Sequence, residues 1–525
     1  MANFFKDRDR RVIPNWRSYG KTTVLGELSS FQLNAPDNIL EVGIDEYVID
    51  WKINKTMVHA SDLLSASIVN NKRNHDEVKN AAEFIINNKK IATFSQLSLA
   101  NNILNLKEVF DVSHNFNSVD LNQVNTIINS EEIRTKIKDV KRMIRLYSFN
   151  PIYYVELSRY YSILGQETSS LEAMKTALHL SKDNRFVLRS ATRLFSHINY
   201  DDNEYVDYIH NILKKSNLTK IDPWLMSAEI SLATLKGRSS NFIRKGIELI
   251  NSNNNSAFSY TELASSIGTV ELLAGSHKKS RIFFNKALIN PNDNSLAQVE
   301  WASGKDKGII VDTKNSKVKM NYEALALDSF QNEDFESSLE NTTKWLKDIP
   351  FSKRPVMFGS NLASIVLKDN NKSILFLKAG QISHPNDPQI INNLAYAYSL
   401  NNEPEKAFIE LNKVNMNFID DDIDACLKAT RGLAQFRIGK YDEGRENYHK
   451  AIEQTKASSN RVLNWIAILN YAREEVKINS QYVENLMTIV DKIPNNVSEI
   501  EINTLKKDVV ELYEKNKAKI SKDYN

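Results

Sequence analysis

From Met57 to the end of the chain, apolar side chains recur at intervals of three and four residues, the spacing of one face of an α-helix. Glycine and proline, which interrupt helices, number only 15 and 11 in 525 residues, under half of the usual share of each. Nucleotide-binding α/β folds and all-β folds use glycine for tight turns and close backbone approaches. A chain this poor in both residues is therefore predicted to be mostly helical.

Within this helical pattern, a helix-turn-helix unit of about 34 residues recurs. One copy spans 150–184, with Tyr154 on its first helix, Gly165 at the turn and Met174 on its second helix. The spacing returns in five further segments: 261–294, 319–350, the segment that ends at Asp387 and contains Leu377 and Gly380, 388–414 and 429–454. Weaker pairs lie near 185–215, 222–250 and 460–492. Repetition at this period indicates stacked helical hairpins.

These units resemble tetratricopeptide repeats, in which small residues let paired helices approach and large ones fill the groove against the next unit. The resemblance implies an all-α, right-handed superhelical α-solenoid. We expect an N-terminal arm over 1–56, extended or a small β-like element that can fold back on the helices. A repeat stack over 57–301, an interrupting loop or hairpin over 302–320, and a second stack over 321–525 with a capping helix should follow.

In the family that the repeats resemble, first helices line a concave groove that binds extended peptides or partner helices. The corresponding positions here are the candidate partner-binding residues Leu327, Phe330, Asn392, Asn393, Tyr396, Leu433, Phe436 and Arg437. Aromatic side chains beside an arginine suit recognition of a partner. The alternative is that they pack against the next helix pair or the folded-back arm. A groove for acidic chaperone tails is not expected, because the cations it requires are missing.

One predicted helix carries a basic stripe formed by Arg134, Lys138, Lys141, Arg142 and Arg145. Nucleic-acid phosphates favour such a stripe. The alternative is a solvated helix face that neighbouring acidic residues partly balance. The formal net charge of +3 is close to neutral for this length, so a protein that grips nucleic acid over its whole surface is not expected.

Chemistry-bearing motifs are weak throughout the sequence. Gly20-Lys21-Thr22 matches the end of a phosphate-binding P-loop, but Asn15 replaces the first glycine and a charged segment stands where a buried strand is required. No two of the nine histidines are four residues apart, and Cys426 is the only cysteine. We expect no catalytic residue, no cofactor and no metal site, and predict that the chain is not an enzyme.

Together these features predict a non-catalytic scaffold or regulatory subunit that binds a partner protein or peptide in a concave groove, within a bacterial or phage-related multi-protein assembly. One alternative is a nucleic-acid-associated adaptor that uses the stripe at 134–145. Another is a subunit of a defence or secretion system that regulates a separate effector enzyme. No secretory leader or membrane-length apolar run is visible, so we expect a cytoplasmic location without membrane contact. The partner and the oligomeric state stay open.

Overall fold

The structure is a computed structural model that describes residues 12–19, 44–69, 72–104, 127–146, 150–182, 184–197, 204–252, 256–416, 419–458, 460–495, 497 and 499–523. Every regular element in these ranges is helical, and they contain no β-strand. The all-α prediction is thus confirmed for the described part of the chain. None of the helices described there is both long and apolar enough to cross a lipid bilayer.

The chain divides into two compact units. The N-terminal unit comprises Lys6–Gln123 and Asn129–Asn332, and the C-terminal unit consists mainly of Glu333–Asn525. The helices described in the N-terminal unit are α1 (Asp45–Ile53), α2 (Met57–Val69), α3 (Asp76–Asn87), α4 (Phe94–Leu104), α5 (Ser130–Leu146), α6 (Pro151–Ile163), α7 (Glu167–Leu180), α8 (Arg185–His197), α9 (Glu204–Lys215), α10 (Pro223–Leu235), α11 (Phe242–Asn251), α12 (Thr261–Leu273), α13 (His277–Ala287), α14 (Asp293–Ser303) and α15 (Tyr322–Gln331).

The C-terminal unit is also built from helices. They are α16 (Phe335–Asp348), α17 (Lys353–Asn361), α18 (Asn370–Ser383), α19 (Pro388–Leu400), α20 (Pro404–Leu411), α21 (Asp421–Arg437), α22 (Tyr441–Ala457), α23 (Arg461–Lys477), α24 (Val483–Asp491) and α25 (Ile500–Asp523). A π-helical turn, Leu362–Val366, continues α17.

Several first helices of hairpins begin in the same way. The side chains of Asn150, Asp222 and Asp387 accept hydrogen bonds of 2.9–3.1 Å from the backbone N–H two residues later. Proline occupies the first turn of α6, α10 and α19, which follow these caps. The cap side chain accepts a hydrogen bond from an N–H group that would otherwise lack a partner in the first turn. Proline suits that turn because it has no N–H group and its φ is already helical.

The turns inside the hairpins place one residue in the left-handed region. Gly165 and Gly439 have φ values of 66° and 78° in the turns after α6 and α21. Asn402 and Asn479 take the same conformation, with φ of 56° and 50°, after α19 and α23. Glycine and asparagine tolerate this region better than other residues, so these positions fix where each first helix ends.

In the N-terminal unit, helices pack as sequential pairs, α6 with α7, α8 with α9, α10 with α11 and α12 with α13. The first helices also pack against one another in the order α6, α8, α10, α12 and α14. Gly268 shows how closely α12 and α13 approach, because a methyl group there would lie 3.1 Å from the ring of Phe284. This unit is therefore a stack of helical hairpins.

The C-terminal unit repeats the arrangement. Its pairs are α17 with α18, α19 with α20, α21 with α22 and α23 with α24, while α19, α21 and α23 pack in order and α25 packs on α23. A methyl group on Gly432 would lie 2.9 Å from the carbonyl oxygen of Gly444 and 3.0 Å from the Tyr448 ring. Small residues thus allow the predicted close approach of α21 and α22.

Two expectations about segments need correction. Within the predicted arm, Asp45–Ile53 forms helix α1 and is not extended or β-like, because Tyr47, Val48 and Trp51 are buried by packing against other helices. The two compact units meet in sequence at Asn332 and Glu333, whereas the predicted interruption was 302–320. After α14 that segment is irregular and lies within the N-terminal unit, where Ile309 joins the core.

Candidate functional site

The helices α6, α8, α10, α12 and α14 form a surface that we call the N-terminal row. Residues 12–19, VIPNWRSY, lie along it and are called the arm segment. Val12, Ile13 and Trp16 are each 1% exposed, and Arg17 and Tyr19 are 4% and 7% exposed. The arm segment is therefore as deeply buried as a core element, although its first seven residues have no regular secondary structure.

Side chains of the row hold the arm segment by its backbone. The Arg159 guanidinium of α6 donates to the carbonyl oxygen of Trp16 at 3.4 Å. The Ser231 hydroxyl of α10 donates to the carbonyl oxygen of the first arm residue, also at 3.4 Å. The Glu156 carboxylate accepts from the backbone N–H of the last arm residue at 2.5 Å. Contacts of this kind recognise an extended backbone whatever its side chains are.

Arm side chains supply the anchors. Asp293, at the start of α14 and 5% exposed, accepts a hydrogen bond from the Asn15 amide at 2.6 Å and pairs with the Arg17 guanidinium at 2.8 Å. The Tyr19 ring meets Phe186 of α8 edge to face, with ring centres 5.1 Å apart. One carboxylate of the row thus binds two arm side chains, and an aromatic contact holds the end of the arm segment.

Buried charges also connect helices within the row. Arg189 of α8 donates to both carboxylate oxygens of Glu262 on α12, at 2.7 and 3.0 Å. Its guanidinium lies 5.4 Å from the centre of the Trp224 ring, and Asn292 donates to Glu262 at 2.9 Å. Because these charges are paired and hydrogen-bonded, the row can keep them out of water.

At the start of α8, Arg185 joins the row to α2. It pairs with Asp62 of α2 and with Asp222, the N-cap of α10. Burial raises the pKa of Asp62 to about 7, against the opposing effect of Arg185 and with a further rise from Asp222. Asp62 and Asp222 share the one guanidinium of Arg185, so the Asp62 carboxyl keeps its proton more readily than an exposed aspartate does.

In the C-terminal unit, α19, α21 and α23 form the C-terminal row, whose polar side chains bind one another. The Tyr396 hydroxyl donates to Asn470 at 2.8 Å, and Arg437 donates to the carbonyl oxygen of Ser399 at 3.0 Å. Arg437 also pairs with buried Glu474. Although burial alone would raise the pKa of Glu474, three neighbouring cations, Arg473 foremost, keep it below its ordinary value.

The structure corrects part of the predicted partner surface. Leu433 is 0% and Phe436 is 5% exposed, and both belong to a core cluster in which Phe436 packs against Tyr448 and Tyr471. They cannot touch a partner without unfolding the hairpin. Asn392 is also buried, and its amide donates to Asn393 at 3.3 Å.

The other predicted contact residues are only partly exposed. Asn393, Tyr396 and Arg437 are half-buried on the C-terminal row, and Tyr396 and Arg437 use their polar atoms in the bonds described above. Leu327 and Phe330 are half-buried on α15 of the N-terminal unit. The eight residues therefore do not come together as one aromatic patch within either unit.

The predicted basic stripe is present on α5. Arg134, Lys138, Lys141, Arg142 and Arg145 are all exposed. Arg134 pairs with exposed Glu131 at 2.8 Å, and the Lys141 ammonium lies 5.5 Å from the Tyr161 ring centre. Among the described residues, the other three have no ion-pair partner. Three or more cations are thus displayed to solvent along one helix face.

Two groups that could carry chemistry are His210 and Cys426. His210 and Glu229 share a buried hydrogen bond of 2.9 Å between α9 and α10. Burial raises the pKa of the Cys426 thiol to about 12, with Asp422 and Asp420 adding to the rise, so the reactive thiolate is scarce. The described residues contain no group of three metal-ligating side chains. Gly20-Lys21-Thr22 lies outside the described residues.

Sequence patterns did not reveal the best-formed contact surface. Arm residues Asn15 and Tyr19 contact residues 278 and 137 positions away, at Asp293 and Glu156. Periodicity reports only which residues share a helix face, so it holds no signal for such pairs. The available signal was compositional: Trp16 and Tyr19, with Ile13, make the arm too apolar for a solvated tail.

Comparisons with known proteins add little to this picture. No protein-family model matches the chain, and no curated protein matches its sequence. Among solved structures, the crystal structure of yeast Tom70 is similar, with 12% identity and a TM-score of 0.29 over 75% of this chain and 93% of that chain. The chain's own helices and their packing therefore define the fold described above, and its tetratricopeptide character stays a prediction.

Proposed function

We propose that this chain is a non-catalytic interaction protein that holds an extended segment of a partner protein on its N-terminal row. The observation that supports this most is the arm segment itself. Arg159 and Ser231 donate hydrogen bonds to its backbone, Glu156 accepts one from its backbone, and Asp293 anchors its side chains. A surface that holds one extended segment in this way has the chemistry to hold another.

The stacked hairpins of both units suit a scaffold or regulatory subunit, since repeat stacks offer long surfaces without an enclosed reaction site. We interpret the hairpins as tetratricopeptide-like and place the protein in a cytoplasmic multi-protein assembly of bacterial or phage type. The half-buried residues Leu327 and Phe330 of the N-terminal unit and Asn393 of the C-terminal unit stay candidate contacts, each within its own unit.

Co-purification with a quantitative mass-spectrometric readout tests this function. The tagged full chain, expressed in its native cell, should recover one protein in constant molar ratio, and nuclease treatment should not release it. A charge reversal at Glu156→Lys on the row should reduce recovery, whereas Glu248→Lys, exposed on second helix α11, should not. Equal recovery by both variants, or turnover of a small molecule by the pure chain, would count against the proposal.

A second candidate function has support from the exposed stripe on α5. Lys138, Arg142 and Arg145 are free to contact phosphates. Binding to a nucleic acid would weaken steeply with salt, and replacing these three residues by glutamine would lower the slope of log affinity against log salt by about 2–3. Binding that is absent, or indifferent to salt and to these changes, would remove this candidate.

A further inference from the structure

The N-terminal row is occupied by the chain's own arm segment, and the contacts define what else would fit there. We propose that the row takes a partner segment in which an aromatic residue is directly followed by arginine, and that the arm segment competes for this position. This inference rests on the proposed function and specifies its ligand. The occupant is an extended segment of a different protein with the pattern Asn-aromatic-Arg.

Asp293 sets the requirement for arginine. It lies at the N-terminus of α14, 5% exposed, and receives both the Asn15 amide and the Arg17 guanidinium. A buried carboxylate needs cationic partners, so a segment with a neutral residue at the position of Arg17 would remove a guanidinium that pairs with Asp293 at 2.8 Å. Lysine would supply the charge, but its ammonium is more strongly hydrated than a guanidinium and suits a buried ion pair less well.

The aromatic requirement comes from Trp16. Its side chain is 1% exposed, while its carbonyl oxygen is held by Arg159. The backbone is held at that point, and the indole side chain of the same residue is buried. A large flat side chain buries the most area there, and smaller residues would leave a void.

One residue of the arm segment is strained on the row. Val12, at its start, has a φ of 57°, a conformation that β-branched residues avoid. A segment without this strained residue would bind with less distortion. Residues 20–43 separate the arm segment from Ile44, the next described residue, so the arm segment and α1 are not adjacent in sequence.

Competition for the row makes the arm segment a regulator. Being tethered, it is present at a high local concentration and blocks weak ligands. A partner segment must bind more tightly than the arm segment or bind at a second point. The full chain is thus expected to bind an isolated segment more weakly than a chain whose arm anchors are removed.

The test uses the full chain and a fluorescent peptide with the sequence of residues 12–19. Trp16→Ala with Arg17→Ala weakens the arm without shortening the chain. This variant should bind the peptide at least about tenfold more tightly than the natural chain does. A peptide with the same two alanines is the control and should not bind. In the variant background, Asp293→Asn should weaken binding about tenfold, but should not affect a peptide with glutamine in place of arginine.

Three results would overturn the proposal. The first is a helical, arm-weakened chain that does not bind the peptide at concentrations up to about 1 mM. The second is loss of helical circular dichroism in that variant, which would make the arm a structural core element. The third is that the natural chain is a dimer and that Trp16→Ala with Arg17→Ala converts it to a monomer. The partner on the N-terminal row would then be a second copy of this chain.

Hydrogen exchange of the unmodified chain tests independently whether the arm segment opens. The Tyr19 amide, which donates to Glu156, should exchange at least about tenfold faster than the amides of α10, because the arm segment opens without unfolding the hairpins. Equal rates would contradict displacement. Peptide binding and hydrogen exchange test the ligand of the row, whereas co-purification tests whether the chain holds a partner. A negative result in the first two can therefore be told apart from a negative result in the third.

Discussion

Arg189 on α8 and Glu262 on α12 form a buried, two-bond ion pair between the helices that flank α10 in the N-terminal row. Both side chains are less than a tenth exposed. The pair therefore couples hairpins that are not neighbours in sequence. Stacked repeats usually contact only the adjacent repeat, so this bond should make the unit unfold more cooperatively than independent hairpins would.

Replacing Arg189 with alanine should lower the free energy of unfolding by about 3–5 kcal/mol, because Glu262 would stay buried with its charge uncompensated. Denaturant unfolding followed by circular dichroism measures the loss. Arg244→Ala is the matched control, since its pair with Glu248 is exposed and should contribute less than about 0.5 kcal/mol. Similar losses in both variants would contradict the coupling assigned to the buried pair.

Gly432→Ala should destabilise the hairpin of α21 and α22 by about 1–3 kcal/mol. The new methyl group would lie 2.9 Å from a backbone oxygen and 3.0 Å from Tyr448, which is 1% exposed and cannot move aside. Gly304→Ala serves as the control, because its nearest neighbours lie at 3.5 and 3.7 Å. Thermal melting of both variants measures the effect. A Gly432→Ala variant with an unchanged melting temperature would contradict the close approach of α21 and α22.

The carboxyl of Asp62 should make stability fall as pH rises from about 4 to about 7. Burial raises its pKa from 3.8 to about 7, with Arg185 opposing and Asp222 and Asp50 adding to the rise. In this window the folded state keeps a proton that the unfolded chain has released, so folding loses stability as pH increases.

Asp62→Asn should remove this part of the pH dependence, measured as melting temperature across the same window. Asp139→Asn, exposed on α5, is the control and should leave the pH dependence as it is. A natural chain and an Asp62→Asn variant with parallel pH profiles would show that Asp62 stays ionised in the folded protein.

Cys426 should resist alkylation in the folded chain. With its pKa raised by burial to about 12, only a small thiolate fraction exists near neutral pH. Reaction with iodoacetamide should be about 100-fold or more slower than in concentrated guanidinium chloride. Because Cys426 is the only cysteine, a single mass shift reports the result. Rapid labelling of the native protein would instead indicate an exposed, activated thiol.

Much of the fold could be predicted because helical hairpins are local. The pairs expected at 150–184, 185–215 and 222–250 appear as α6 with α7, α8 with α9 and α10 with α11. The period of apolar residues and the position of Gly165 were sufficient to predict these helix pairs. Helix α1 was missed because Tyr47, Val48, Ile49 and Trp51 favour strands by composition, and tertiary burial of three of them decides the conformation.

The contact surface was harder to predict than the hairpins. Phe436 occupies a position that faces a groove in the resembled family, but here Tyr448 and Tyr471 enclose it. Side-chain volume on neighbouring helices decides that outcome, and spacing does not encode it. The arm segment meets the row through pairs more than 100 residues apart, such as Asn15 with Asp293, which no local pattern can show.

Hydrogen–deuterium exchange of the full chain with and without its co-purified partner shows whether the partner replaces the arm segment on the N-terminal row. The partner should slow exchange on α6, α8, α10, α12 and α14 and speed exchange in residues 12–19, as the arm segment is displaced. Protection confined to the second helices α7, α9, α11 and α13, with unchanged exchange along the row, would contradict it.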